Sequence, residues 1–195
     1  MGCIMARMGL DKNAIIYRAA QLANDVGIEN ITLKSLANDL NIQPPSLYNH
    51  ISGLDDLKKE LMIYGWHQME EQIIESVAGI SGYDAIEAIC RSFLEYATTN
   101  PGVFNAMLWY NKFENDEAQN ATTKLFSVVF KIFSSLNISQ ENSDHLMRTF
   151  RSFLEGFALL VNHNAFGNPI SINDSFELSL KVLMAGMKTL EEVDN

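Results

Sequence analysis

Apolar residues recur at intervals of three and four along almost the whole chain and nowhere alternate at two, so the backbone is expected to fold as helices without a sheet. From Asp11 to Val26, Ile15, Ala19, Leu22 and Val26 share one face, with Ile16, Ala20 and Ala23 beside them, and Gly27 stops the helix as a C′ glycine does. Thr32 is placed to cap a short second helix whose inner face is Leu33, Leu36, Ala37 and Leu40. Asn41 follows where the chain must turn sharply, and asparagine enters the left-handed region more readily than other residues with a side chain. Pro44 and Pro45 fit only the first turn of another helix, where their missing N–H groups would have no partner in any case. That third helix is brief, ending near His50, and Ser52 and Gly53 separate it from a long fourth helix over about Leu54 to Val77.

Gly79, Ser81 and Gly82 mark a hinge. Beyond it Ile86, Ile89, Cys90, Phe93 and Ala97 align, and Asn100, Pro101 and Gly102 read as a break. A shorter segment carries Phe104, Met107, Leu108, Trp109 and Tyr110, and a helix from about Asp116 to Leu136 aligns Leu125, Val129, Ile132 and Leu136. The last two helices are the most regular, with stripes Leu146, Phe150, Phe153, Phe157, Leu160 and Phe176, Leu180, Leu183, Met187, Leu190. Each carries a second stripe (Leu154, Ala158, Val161; Leu178, Val182, Ala185), so each has two packing partners, one of which can belong to another subunit. Gly156 favours such an interface, because a mid-helix glycine costs about 1 kcal/mol unless close approach compensates.

A chain of 195 residues, 47% hydrophobic and 19% charged, buries about 70% of its unfolded surface and needs no covalent staple. Two cysteines, Cys3 and Cys90, cannot build a metal cage and point to no oxidising compartment. No apolar run approaches the roughly 18 to 20 residues of a membrane span, and the first residues lack a signal-peptide pattern. The expectation is a soluble cytoplasmic protein with no membrane partner. The net charge of −10 is unevenly spread: residues 1–66 carry six basic and seven acidic side chains, the remainder eight and seventeen. The penalty that an acidic chain pays near nucleic acid therefore falls on the C-terminal part.

The stretch from Thr32 to Ile51 holds the chemistry. Two short helices joined by a tight turn, with small Ala37 at the crossing and Leu36, Leu40, Ile42, Leu47 and Ile51 facing inward, make a helix-turn-helix. The outer edge of its second helix is Gln43, Pro44, Ser46, Asn49 and His50, short and polar enough to enter a major groove and exchange hydrogen bonds with bases. Tyr48 can lie against sugar and reach a phosphate, and the Thr32 hydroxyl with the helix start behind it can hold another.

At these residues the chain resembles the DNA-binding domain of the TetR family of transcriptional regulators, over Leu10 to about Met69. The pattern is a helix ending in Gly-Ile-Glu, then Thr, a leucine-alanine pair, and Pro-x-Leu-Tyr-x-His. The resemblance implies an all-α chain with an N-terminal three-helix helix-turn-helix domain over 9–69 and a larger C-terminal ligand-binding and dimerisation domain over 79–195. It places Lys34, Pro44, Pro45, Ser46, Tyr48, Asn49 and His50 at DNA, with Gln43 at the entrance of the helix. Leu54 stands where the family commonly has a phosphate-binding lysine, so that contact is absent or moves to Lys58 or Lys59. The turn residue, often glycine, is Asn41.

The C-terminal part resembles one TetR subgroup through Arg151-Ser152, Gly156-Phe157, Phe166-Gly167-Asn168-Pro169 and Asp174-Ser175-Phe176. Glu155 replaces a frequent histidine, whose role does not carry over. The subgroup implies a four-helix dimer interface, expected at Phe150, Phe153, Gly156, Phe157, Leu160, Phe176, Leu180, Leu183 and Met187.

The aromatic supply suggests a pocket for a small hydrophobic or aromatic effector, with Phe93, Tyr96, Trp109, Phe113, Phe126, Phe130 and Phe157 as candidate walls. Glu95, Glu155, His145 and His163 are either polar anchors there or solvated side chains, with the solvated state favoured. The chain is not expected to be an enzyme: the four histidines lack zinc spacing, and there is no glycine-rich phosphate loop and no Gly-x-Ser-x-Gly elbow. No cofactor is expected. The function expected is that of a ligand-responsive regulator, a repressor rather than an activator, bound as a homodimer to a palindromic double-stranded DNA operator. The alternative is a helical carrier of a hydrophobic small molecule that does not use DNA.

Overall fold

The computed structural model describes residues 11–109 and 116–193, and these form helices joined by short turns. In chain order they are α1 Lys12–Val26, α2 Leu33–Asp39, α3 Pro44–Leu47, α4 Leu54–Ser76, α5 Gly82–Thr99, α6 Pro101–Met107, α7 Asp116–Phe133, α8 Gln140–Asn162 and α9 Ile172–Val193. No strand occurs among the described residues, in keeping with an all-α class. Two compact units lie within Met1–Gly65 with Pro101–Ala118, and within Trp66–Asn100 with Gln119–Asn195. The helix α4 contributes its first half to one and its second half to the other.

In the first unit the local signals act where the sequence puts them. Asp11 caps α1 by accepting from the Ala14 N–H at 2.7 Å, and Gly27 ends it at φ +84°. Thr32 and Ser35 form a reciprocal capping box at the start of α2. Asn41 adopts φ +54°; its N–H donates to the Asn38 carbonyl at 3.1 Å, and the Ile42 N–H donates to that of Ala37 at 3.0 Å. This pair of bonds is the Schellman arrangement, here with asparagine in place of glycine. Pro44 and Pro45 open α3, and Leu36, Ala37, Leu47 and Ile51 are buried beneath it. Arg18 of α1 grips the Asp39 carboxylate at the end of α2 through both Nε and Nη2, the latter at 2.8 Å. The guanidinium holds that carboxyl below the usual aspartate range.

The segment from Asn100 to Gly102 is not a simple break. Only Asn100 leaves helical geometry; Pro101 and Gly102 form the first turn of α6, which packs on α1. The Asn24 side-chain oxygen accepts from the N–H groups of Gly102 at 3.0 Å and Val103 at 3.1 Å, a cap supplied from a distant part of the chain.

In the second unit α5 packs on α8 and α9, and α8 on α9. Arg91 of α5 reaches Glu177 of α9 through Nε at 2.9 Å and Nη2 at 2.9 Å. The buried Glu70 of α4 pairs with Lys124 of α7 at 2.6 Å. Phe153, Phe157, Phe166 and Phe176 form an aromatic cluster with centroids 5.1 to 5.7 Å apart. Among the described residues no helix is long and apolar enough to cross a membrane.

Candidate nucleic-acid interface and ligand cavity

The second helix of the motif, α3, is held by its apolar side alone. Leu47 and Ile51 are fully buried, while Gln43, Pro45, Tyr48 and Asn49 are exposed, and Pro44, Ser46 and His50 are half-buried at the rim. Tyr48 keeps 59% of its surface, a large aromatic area for an outward residue. Gln43 is the N-cap residue of α3 but makes no side-chain cap bond. A polar edge of this kind can exchange hydrogen bonds with base edges while the apolar side stays in the core.

The cations around this edge are mostly engaged. Lys12 pairs with Glu60 at 2.8 Å, Arg18 with Asp39, and Lys59 with Asp56 at 3.0 Å. Lys58, expected at a phosphate, instead lies 5.0 Å from the centroid of the Trp109 ring and 3.7 Å from Glu29, with 17% of its side chain exposed. The aromatic face draws the side chain inward and leaves it largely covered. Lys34 is exposed and, among the described residues of this unit, is the lysine without an ion pair. The Thr32 hydroxyl donates to Ser35 Oγ at 3.1 Å and accepts from the Ser35 N–H at 3.0 Å, so the capping box uses it.

A cavity of about 330 Å³ lies among α4, α5, α7 and α8 within the second unit. Its walls include Trp66, Ile86, Cys90, Phe93, Phe126 and Phe133, and Trp66 and Phe126 lie with centroids 6.0 Å apart. Burial pushes the Cys90 thiol up to about 12, so at neutral pH it is an inert part of an apolar wall.

Of the expected wall residues, Phe93 and Phe126 line this cavity. Tyr96 is buried away from it, Phe130 is 38% exposed, Phe157 belongs to the aromatic cluster, and Trp109 packs against Lys58 in the first unit. Phe113 and Tyr110 lie outside the described residues. Glu155 lines the cavity, whereas Glu95, His145 and His163 are exposed. The residues missed by sequence reasoning include Trp66 and Ile73 of α4 and Asp144, Arg148 and Arg151 of α8. Among the described residues no group of three His, Cys, Asp or Glu side chains could hold a metal ion.

Of the residues expected at a subunit interface, Phe150, Phe157, Phe176, Leu180 and Met187 are consumed by the protomer's own core. Phe153, Gly156 and Leu183 are half-buried, and Leu160 is 44% exposed. Open apolar surface lies on the second stripe of α9, where Leu178 and Val182 each keep 64% of their surface, and at Ile170 just before that helix, which keeps 63%. Among the described residues, nothing beyond the adjoining backbone of its own helix lies within 4 Å of a β-carbon placed on Gly156 or Gly186.

Residues 86–183 match the family model described as "Tetracyclin repressor-like, C-terminal domain". The chain is 29% identical over 182 residues to the HTH-type transcriptional regulator YobS of Bacillus subtilis, covering 93% of this chain and 94% of that protein. Its fold is similar to that of a Rhodococcus protein of unknown function (TM-score 0.80, 12% identity, 94% of this chain and 98% of that one). TetR from Acinetobacter baumannii AYE is similar as well (TM-score 0.71, 17% identity, 94% and 99%).

Proposed function

Because the chain belongs to the TetR family of transcriptional regulators, we propose that it is a repressor that binds a palindromic operator as a homodimer and is released by a small effector. Family membership makes it a DNA-binding regulator and not an enzyme. The observation that carries the operator reading is the outward polar edge of α3 above buried Leu47 and Ile51. Residues 9–69 are the DNA-binding domain in this reading and 79–195 the effector and dimerisation domain, although α6 within the latter stretch packs on α1 in the first compact unit. Ser46, Asn49 and Gln43 read bases, Tyr48 and Lys34 hold phosphates, and Pro44 and Pro45 set the entry of α3 into the groove. Lys58 has no part in it.

The exposed Leu160, Leu178, Val182 and Gly186, with half-buried Gly156, support the dimer, two helices from each subunit meeting across a two-fold axis. Effector in the cavity would act through helices that line it and continue elsewhere. These are α4, which follows directly after the α3 turn, and α5, which runs through Asn100 into α6. The effect on operator affinity equals the effector's differential affinity for the two states.

The test is selection of bound genomic fragments by the purified protein, followed by footprinting. The expected footprint has two half-sites about one helical turn apart, roughly 34 to 36 Å. Protection of a single half-site, or none, contradicts the reading.

A further inference from the structure

Four charged side chains line the cavity and all come from α8: Asp144, Arg148, Arg151 and Glu155. Their spacing of four, three and four sets them along one face of the helix, opposite the apolar walls supplied by α4, α5 and α7. Both carboxylates are engaged within the protein. Glu155 Oε1 accepts from Arg151 Nε at 2.7 Å, and Asp144 Oδ1 accepts from Gln140 Nε2 at 3.1 Å. The Arg151 guanidinium also lies 6.0 Å from the Phe126 ring centroid, where the charged and aromatic walls meet. Arg148 lines the same space and has no ion pair or hydrogen bond from its guanidinium among the described residues.

We propose that the cavity takes an amphipathic organic carboxylate, with its apolar body against α4, α5 and α7 and its carboxylate on Arg148, one helical turn from Arg151. This rests on the reading of the cavity as the effector site. A planar guanidinium offers a carboxylate two parallel charge-assisted hydrogen bonds. A neutral ligand would cover Arg148 without giving it a partner, at the cost of desolvating a lone charge. A cationic ligand would have to sit beside both Arg148 and Arg151, with Asp144, whose Oδ1 accepts from the Gln140 amide, as the carboxylate open to it. The volume of about 330 Å³ lies at the small end of ligand pockets, roughly 300 to 1,000 Å³, and so suits a compact body. The chain's net charge of −10 opposes anions in general, so the preference must come from this one helical face.

Calorimetric titration of the full chain with two matched series tests it: phenylacetate, phenylacetamide and phenethylamine, then octanoate, octanamide and octylamine. In at least one series the carboxylate is expected to bind about tenfold or more tighter than its amide and its amine. Arg148→Gln should abolish that advantage while changing the amide's affinity less than about twofold, and Arg148→Lys should restore part of it. Arg148 is exposed, so circular dichroism should show all variants folded. Amides or amines binding as tightly as the carboxylates, or Arg148→Gln weakening acid and amide alike, overturns the anion preference and leaves the effector site standing. If none of the six compounds binds, the effector-site reading fails and this inference fails with it.

Discussion

Gly102 in α6 lies so close to Ala23 in α1 that a β-carbon at position 102 would sit 1.9 Å from the Ala23 carbonyl oxygen. The obstacle is backbone, not the end of a flexible side chain, so it cannot move aside alone. Gly102→Ala should force α6 off α1 and break the cap that Asn24 gives it. A loss of at least about 1 to 3 kcal/mol is expected in urea denaturation, the range of overpacked cores. Wild-type stability in the variant would show that α6 does not rest on α1.

Asn41 at φ +54° carries the turn between α2 and α3. Glycine adopts this geometry without steric cost, whereas a β-branched residue resists it by about 1 to 2 kcal/mol. Asn41→Gly should therefore leave the melting temperature close to that of the wild type, and Asn41→Val should lower it. Equal melting temperatures for both variants would argue against a left-handed residue at the turn.

The Arg18–Asp39 pair makes stability depend on acid. Arg18 holds the folded-state Asp39 carboxyl below its ordinary value of 3.8, so in acid the unfolded chain binds this proton first. The contribution is present above about pH 4 and is lost as pH falls through the lower folded value. Asp39→Asn should cost stability at pH 7, and the gap to wild type should shrink below about pH 4. A gap that stays constant with pH would show that the carboxylate charge is not what ties α2 to α1.

The two stripes of α9 should respond differently to substitution. Phe176 is buried in the protomer, and Phe176→Ala should cost about 3 to 5 kcal/mol in denaturation. Leu178 and Val182 are open, so Leu178→Glu with Val182→Glu should leave each subunit folded and yield monomers in sedimentation or light scattering. A double variant that remains dimeric would move the interface elsewhere.

What could be read from the sequence was local. Gly27, Asn41 and the Pro44–Pro45 pair act through their own backbone preferences, and each appears where its chemistry requires. Gly102 could not be read in the same way, because a glycine that ends a helix and one that lets two helices touch look alike until the partner is known. Lys58 appeared free for a phosphate because nothing near it in sequence points to Trp109. Two apolar stripes were visible on α9, but which one a protomer keeps for itself depends on how α5 and α8 pack. The charged face of α8 could be read as a ladder at 144, 148, 151 and 155, yet such a ladder normally faces water. Only the apolar walls opposite it make it one side of a cavity.

For this chain to recognise an operator, the outer edge of α3 must read base pairs. The most direct measurement is the affinity of wild type, Asn49→Ala, Ser46→Ala and Tyr48→Phe for a selected operator, for single-base variants of it, and for random duplex, as a function of salt. Wild type should prefer the operator by about 10³-fold or more. The Asn49 and Ser46 variants should lose discrimination at particular base pairs, about 1 to 3 kcal/mol each, while Tyr48→Phe weakens every sequence alike. Equal losses on operator and random DNA for all three variants, or no preference by the wild type, would contradict the claim that this helix reads sequence.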